Sequence, residues 1–205
     1  MTNRTVTGLY DSYDDAAQAV RSLEAAGISH RDISLIVNNV DNRYAPSDRV
    51  KAKEAAKTGA GAGASVGTVV GGGAGLLAGL GMLAIPGVGP VVAAGWLVAT
   101  AAGAAAGAAA GGLIGSLTGA GVSMDHAHVY AEGVRRGGSL VTARVDEGRV
   151  AAVEQIMRRS RWVDPDKRAK LYRGEGWTSF DERAAPYSSE ELAHQRNLQR
   201  EDLPV

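Results

Sequence analysis

The 205-residue chain has no cysteine. That absence excludes disulfide scaffolds, thiolate zinc sites, iron–sulfur clusters and a thiol nucleophile. The first fifteen residues carry Arg4, Asp11, Asp14 and Asp15 and lack the apolar run of a signal peptide, so the folded part is read as cytoplasmic. The four histidines, at positions 30, 126, 128 and 194, are not grouped with a nucleophile and an orienting acid. A non-enzymatic protein without a cofactor is therefore expected.

The most informative absence is local. Residues 58–124 contain no Asp, Glu, Lys or Arg, and they hold 20 of the 28 glycines. A single uniform globular domain is excluded, and the charged remainder is enough for one domain of ordinary size. Charge is also uneven outside the block. Residues 135–173 carry eleven basic against five acidic side chains, and residues 174–205 carry three against seven. A basic stripe thus faces an acidic tail. Arg158, Arg159 and Arg161 are candidate anion contacts within the stripe. Trp162 and Tyr172 are the only aromatics near it, which argues against single-stranded nucleic acid and leaves a lipid headgroup as the more economical partner.

Two stretches of the charged part repeat one pattern. In Arg4-Thr-Val-Thr-Gly-Leu-Tyr10, Val6 and Tyr10 share a face opposite Thr5 and Thr7, as in a strand. A helix follows, capped by Ser12 with Asp15 three residues on, its apolar positions Ala16, Val20, Leu23 and Ala26, ending at Gly27. Ile33, Leu35 and Val37 alternate in a second strand. After the uncharged block, Val141, Ala143 and Val145 mark a third strand. Asp146 is expected to cap a helix with Val150, Val153, Ile156 and Met157 inward, and a short fourth strand is expected at Arg161 to Val163. Two such halves make an α+β domain of ferredoxin-like βαββαβ order, interrupted after its second strand.

Between the block and the third strand, a helix capped by Ser123 and stopped by Gly137 contains His128-Val-Tyr-Ala-Glu-Gly-Val-Arg-Arg-Gly-Gly138. This string, with Val145-Asp-Glu and Arg173-Gly-Glu-Gly-Trp177, resembles the bacterial general stress protein 17M-like family over about residues 4–38 and 123–181. The motif residues are His128, Tyr130, Glu132, Gly133, Arg135, Arg136, Gly137 and Gly138. The resemblance implies a stress-associated bacterial protein, often with a glycine-rich insertion, and assigns no catalytic residues.

Inside the block, Gly59, Gly63, Gly67, Gly71, Gly75 and Gly79 fall at every fourth residue. Gly103, Gly107, Gly111, Gly115 and Gly119 repeat the register, with Gly95 in phase. Pro86, Gly87, Gly89 and Pro90 form a turn between the rows. The pattern predicts a hairpin of two glycine-zipper helices. Glycine costs about 0.8–1 kcal/mol per helical position relative to alanine, so an outside support is required.

One support is a bilayer. Val66 to Ile85 and Val91 to Ala110 are each about 30 Å long as helices, the thickness of a hydrocarbon core. Lys51, Lys53 and Lys57 flank the entry on the cytoplasmic side, and Trp96 falls near the far interface. The other support is a soluble assembly, since residues 58–65 and 101–112 have almost no bulky side chains. A row at every fourth residue drifts around a helix, so its glycines cannot all face one neighbour, and a homo-oligomer is expected either way.

The segments expected are a first half-domain and linker (1–57), the hairpin (58–122), a helix with the second half-domain (123–173), and a charged tail (174–205) with a short helix from Ser188 through Gln199. The tail is expected to pack thinly or to strap the basic stripe. His126 and His128 diverge on a helix and His128–Glu132 reads as an ordinary surface pair, so no metal is assigned. The glycine runs lack the strand and Lys-Ser/Thr of a phosphate loop. The expected function is a self-associating, membrane-associated structural or interaction protein of the stress response. The alternative is a soluble oligomeric regulatory module that binds a small molecule whose identity the sequence leaves open.

Overall fold

The computed structural model describes residues 3–41, 81–97 and 112–201. Strand β1 (Asn3–Tyr10) has the expected alternation, with Val6 and Tyr10 in one core and Leu9 in another on the opposite face. Helix α1 (Tyr13–Ala25) opens on Ser12, whose Oγ accepts from the Asp15 N–H at 3.1 Å, and buries Ala16, Ala19, Val20 and Leu23. Strand β2 (Ile33–Asn38) is buried on both faces, not one. A second layer of helices must therefore cover it.

The uncharged block supplies the largest correction. Its centre is a β-hairpin, β3 (Gly81–Ile85) and β4 (Gly89–Gly95), paired from Gly81↔Ala93 to Ile85↔Gly89. The chain does reverse at Pro86-Gly87-Val88, with Gly87 and Gly89 at φ +73° and +95°, but it joins strands. Two glycines at positive φ favour a tight hairpin, and the β-branched Val91 and Val92 favour a pleated, buried surface. The two twenty-residue helical arms are accordingly not formed over residues 81–85 and 91–95. Gly95 is not on a helix face. It ends β4 at φ +99°, where a Cβ would lie 2.6 Å from Ser34 Cα. Trp96 follows β4; its Nε1 donates to Asp32 O at 3.1 Å and Arg144 lies 4.6 Å above its ring.

Gly59, Gly63, Gly67, Gly71, Gly75, Gly79, Gly103, Gly107 and Gly111, and Lys51, Lys53 and Lys57, lie outside the described residues. Gly115 and Gly119 fall in helix α2 (Gly112–Gly119). Among the described residues no helix is long and apolar enough to cross a membrane. Ile85, Val88, Val91, Val92 and Leu97, which a membrane tip would expose, are buried.

Helix α3 (Met124–Arg135) is capped by Ser123 and ends at Gly137, φ +96°. Strand β5 (Ser139–Asp146) enters the sheet between β1 and β2, and the strand order is β1-β5-β2-β4-β3 with every neighbouring pair antiparallel. Asp146 makes no side-chain cap; a 3₁₀ turn at Glu147–Arg149 leads into helix α4 (Val150–Arg158) instead. The expected fourth strand is a single bridge, Val163 to Leu9. Helix α5 (Pro165–Gly174) follows, and helix α6 (Ser189–Glu201) closes the described part.

The mixed α/β sheet thus carries two cores. Helices α1 and α4 cover one face, around Val20, Leu35, Val141 and Met157. Helices α2 and α3 cover the other, around Leu9, Ile36, Val91, Leu117 and Tyr130. Most of the described tail residues are exposed, and Phe180 and Leu192 are the two buried ones between positions 174 and 195. The α6 cap is reciprocal: Glu191 N–H donates to Ser188 Oγ at 3.3 Å, and Ser188 N–H donates to the Glu191 carboxylate at 2.7 Å.

Candidate functional site

Helix α3 places the motif. Ala127, Tyr130, Ala131 and Val134 recur at helical spacing and press on the sheet. Gly133 lies where the helix crosses Leu9: a Cβ there would run into Leu9 Cδ2 and come within 2.8 Å of Cδ1. Gly137 adopts the left-handed conformation that ends the helix, its N–H bonding Val134 O and the Gly138 N–H bonding Gly133 O. A Cβ on Gly138 would meet Gly133 O at 2.8 Å and Tyr10 O at 3.1 Å. Buried Asn38 donates to Val134 O at 3.0 Å, satisfying a carbonyl at the helix end. The three motif glycines therefore let a helix lie flush on a strand and turn directly back into the sheet.

The charged motif residues face the other way, toward α5 and the tail. Glu132, 1% exposed, accepts from Arg136 Nε at 2.8 Å and from Arg135 at 3.5 Å. Arg136 also pairs with Glu175, reaches Gln195 at 3.4 Å and lies 4.1 Å over the Tyr172 ring. Arg168 forms a two-pronged pair with Asp11 at 2.8 and 2.7 Å and lies 5.7 Å from the same ring. Burial works against the charge on Arg136, but its bonds to Glu132 and Glu175 outweigh burial and raise its pKa. Burial likewise opposes the charge of Arg168, and Asp11 outweighs it. Burial pushes the Tyr172 phenol up to about 12, against the pull of both guanidiniums. Each buried charge is met by an opposite one, the condition under which burial of ions is tolerated. The arrangement holds helices together and offers no base beside a nucleophile.

Arg135 and His128 fasten the tail. Arg135 Nη2 donates to Ala185 O at 2.9 Å, and its guanidinium lies 4.8 Å over the Tyr187 ring. The Phe180 N–H donates to His128 Nδ1 at 3.2 Å, which places the ring proton on Nε2. His126 points elsewhere, with Nε2 3.1 Å from Asp166. Among the described residues no three His, Asp or Glu side chains gather as a metal site.

A cleft of about 320 Å³ opens beside β1. Thr5 and Thr7 form one side; His126 and Tyr130, Glu154 and Arg158, and Asp164 to Asp166 close around it. Asp164 caps α5, accepting the N–H groups of Asp166 at 2.9 Å and Lys167 at 3.1 Å. The Lys167 N–H bond outweighs the loss of water around the carboxyl, which acts in the opposite direction, and holds its pKa below the ordinary value. Arg158 lies 4.1 Å over the Trp162 ring. Arg159 and Arg161 are exposed, and Arg161 has φ 60°. Among the described residues none of these three arginines forms a salt bridge.

Residues 5–81 match the model of the heat induced stress protein YflT domain. The match runs from β1 through α1 and β2 to the first residue of β3, so Glu132 to Gly138 lie beyond it. No curated protein and no solved structure matches the chain. The partners of the motif, namely Asp11, Arg168, Tyr172 and Glu175, escape sequence reasoning because their contacts span up to 157 positions. One signal for α5 was present: Asp164-Pro165 is the N-cap and N1 pairing that starts helices.

Proposed function

We propose that this stress protein works without catalysis, as a folded body that self-associates through its small-residue rows. The match of residues 5–81 to a stress-protein domain supports the setting. The observation that carries the reading is the position of the β3–β4 hairpin. Because β4 pairs with β2 and β3 pairs with β4, the chain on either side of the hairpin is anchored to the same sheet. In sequence, the row Gly59 to Gly79 lies between β2 and β3, and the row Gly103 to Gly119 begins after β4 and runs into α2. Among the described residues nothing lies within 4 Å of the Cβ position of Gly119, the last of the second row. Small residues at this spacing allow backbones to approach closely.

The strand order supports a ferredoxin-like core. β5 lies between β1 and β2, Val163 touches the outer side of β1, and the β3–β4 hairpin is added beside β2. Association in solution is favoured over membrane insertion because Ile85, Val88, Val91, Val92 and Leu97 around the turn are already used in the core. The test replaces Gly63, Gly67 and Gly107 with Leu in the full chain, with Gly72→Leu as the out-of-row control. Gly112 is unsuited as a control, since its φ of +33° and a Cβ position 2.7 Å from Glu182 Oε1 strain any side chain there. Loss of oligomer in the row variants alone supports the reading. Oligomers unchanged in every variant contradict it.

A further inference from the structure

Strand β1 is the outer strand of the sheet. The N–H and C=O of one residue leave an antiparallel strand on the same side, and successive residues alternate. Leu9 O accepts the Val163 N–H at 2.8 Å on the side away from β5. The main-chain groups of Thr5 and Thr7 therefore point outward as well. The Tyr130 hydroxyl, donating to Thr7 O at 3.4 Å, confirms this side. Pairing by the following chain stops at Leu9, so among the described residues no strand lies beside Thr5 and Thr7. Exposed edges are ordinarily blunted by Lys, Pro or a bulge, and β1 offers only Arg4, whose own main chain faces β5.

This bare edge forms one side of the cleft described above, and it is not a flat surface. Tyr130 and His126 of α3 flank it on one face of the sheet, and Glu154, Met157 and Arg158 of α4 flank it on the other. Three carboxylates, Glu154, Asp164 and Asp166, line the cleft. Among the described lining residues Arg158, stacked on the Trp162 ring, is the one arginine or lysine against these three carboxylates. The walls thus ask for a positive side chain, and the edge asks for a peptide main chain.

We propose that the cleft binds an extended peptide segment bearing a basic side chain, which adds a strand to the outer edge of β1. Main-chain hydrogen bonds supply affinity in such complexes and the walls supply selectivity. A second copy docking by its own β1 is disfavoured, because it brings an identical set of three carboxylates against the first.

The probe is acetyl-Thr-Val-Lys-Val-Thr-amide, titrated into the full ¹⁵N-labelled chain. The expected result is saturable shifts of the Thr5 and Thr7 amides and of the Trp162 indole, weakening as salt rises. Two N-methylated isomers, one at residues 1, 3 and 5 and one at residues 2 and 4, separate strand addition from ionic contact. Only one set of amides faces β1, so one isomer is expected to bind at least tenfold more weakly and the other to bind like the parent. Replacing the probe's Lys with Glu is expected to weaken binding at least tenfold. In the protein, Thr5→Pro removes an outward N–H and no bond to β5, which strand edges tolerate, and it is expected to lower affinity by a similar factor. Should that variant misfold, Glu154→Gln with Asp166→Asn, both exposed, is expected to abolish the preference for Lys over Glu. The proposal is overturned if no saturable shift occurs at Thr5 and Thr7, if both methylated isomers bind like the parent, or if the Glu probe binds as well as the Lys probe.

Discussion

Glu132 and Glu175 both bind Arg136, but the Glu132 side chain is 1% exposed and the Glu175 side chain 41%. Substituting each by Gln removes one negative charge and keeps an acceptor, so the pair isolates the effect of burial. For Glu132→Gln, Arg136 loses its buried counter-charge and Arg135 loses a partner at 3.5 Å. Removing one member of a buried pair costs about 3–5 kcal/mol, and a hydrogen bond to a charged group about 1.5–3. Because Glu175, Gln195 and the Tyr172 ring still hold Arg136, the expected loss is about 2–3 kcal/mol, near the lower ends of those ranges. Glu175→Gln acts on a largely hydrated carboxylate and is expected to cost about 0–1 kcal/mol. Urea unfolding at pH 7, repeated in 1 M NaCl, measures both. High salt is expected to erase the Glu175 effect and leave most of the Glu132 effect, since screening acts on exposed charge. Equal losses for the two variants, or a Glu132 loss that vanishes in salt, would refute the view that the motif is a buried lock.

Gly133→Ala is expected to destabilise by about 0–2 kcal/mol, because overpacking Leu9 by about 1–3 outweighs a helix-propensity gain of about 0.8–1; a Leu9→Val background that reduces the loss, read by urea midpoint, checks the contact. Asp164→Ala is expected to cost about 1 kcal/mol at pH 7 through the lost α5 cap. Since the folded-state pKa of Asp164 is depressed, that stability is present above the ordinary carboxylate range and fades as pH falls through the folded value, so the gap between variant and parent should narrow below about pH 4. Tyr10, Tyr130 and Tyr172 have pKa values raised chiefly by burial. Their neutral forms stabilise the fold below the ordinary tyrosine pKa, and this is lost as pH rises through the folded values. Spectrophotometric titration should show these three, and to a smaller degree Tyr13, ionising late among the six tyrosines, together with loss of the near-ultraviolet circular dichroism.

Elements with a clean period were legible. β1, α1, β2, α3, β5 and α4 announce themselves by alternation or helical spacing and by Ser12, Ser123 and Gly137. The β3–β4 hairpin was hidden because glycine at every fourth residue continues on both sides of it, so Gly79 and Gly95 keep helical register while Val91, Val92 and the Pro86–Pro90 turn specify strands. Burial of β2 on both faces was legible only weakly, through Ile36 between inward Leu35 and Val37. The motif string was found as a string, yet its meaning was not. Gly133 is explained by Leu9, and Arg136 by Glu175 and Tyr172, contacts that no local period encodes. The cleft was illegible for the same reason, since it joins Thr5 and Thr7 to residues 126–166 across the sheet.

The central claim is self-association through the small-residue rows, and sedimentation velocity of the full chain in detergent-free buffer tests it most directly. The account predicts a discrete species that is a multiple of the 21.1 kDa protomer, reduced toward the protomer by Gly107→Leu and unaltered by Gly72→Leu. A parent chain that sediments as a 21.1 kDa monomer across micromolar concentrations, or that stays in solution only with detergent, would contradict it.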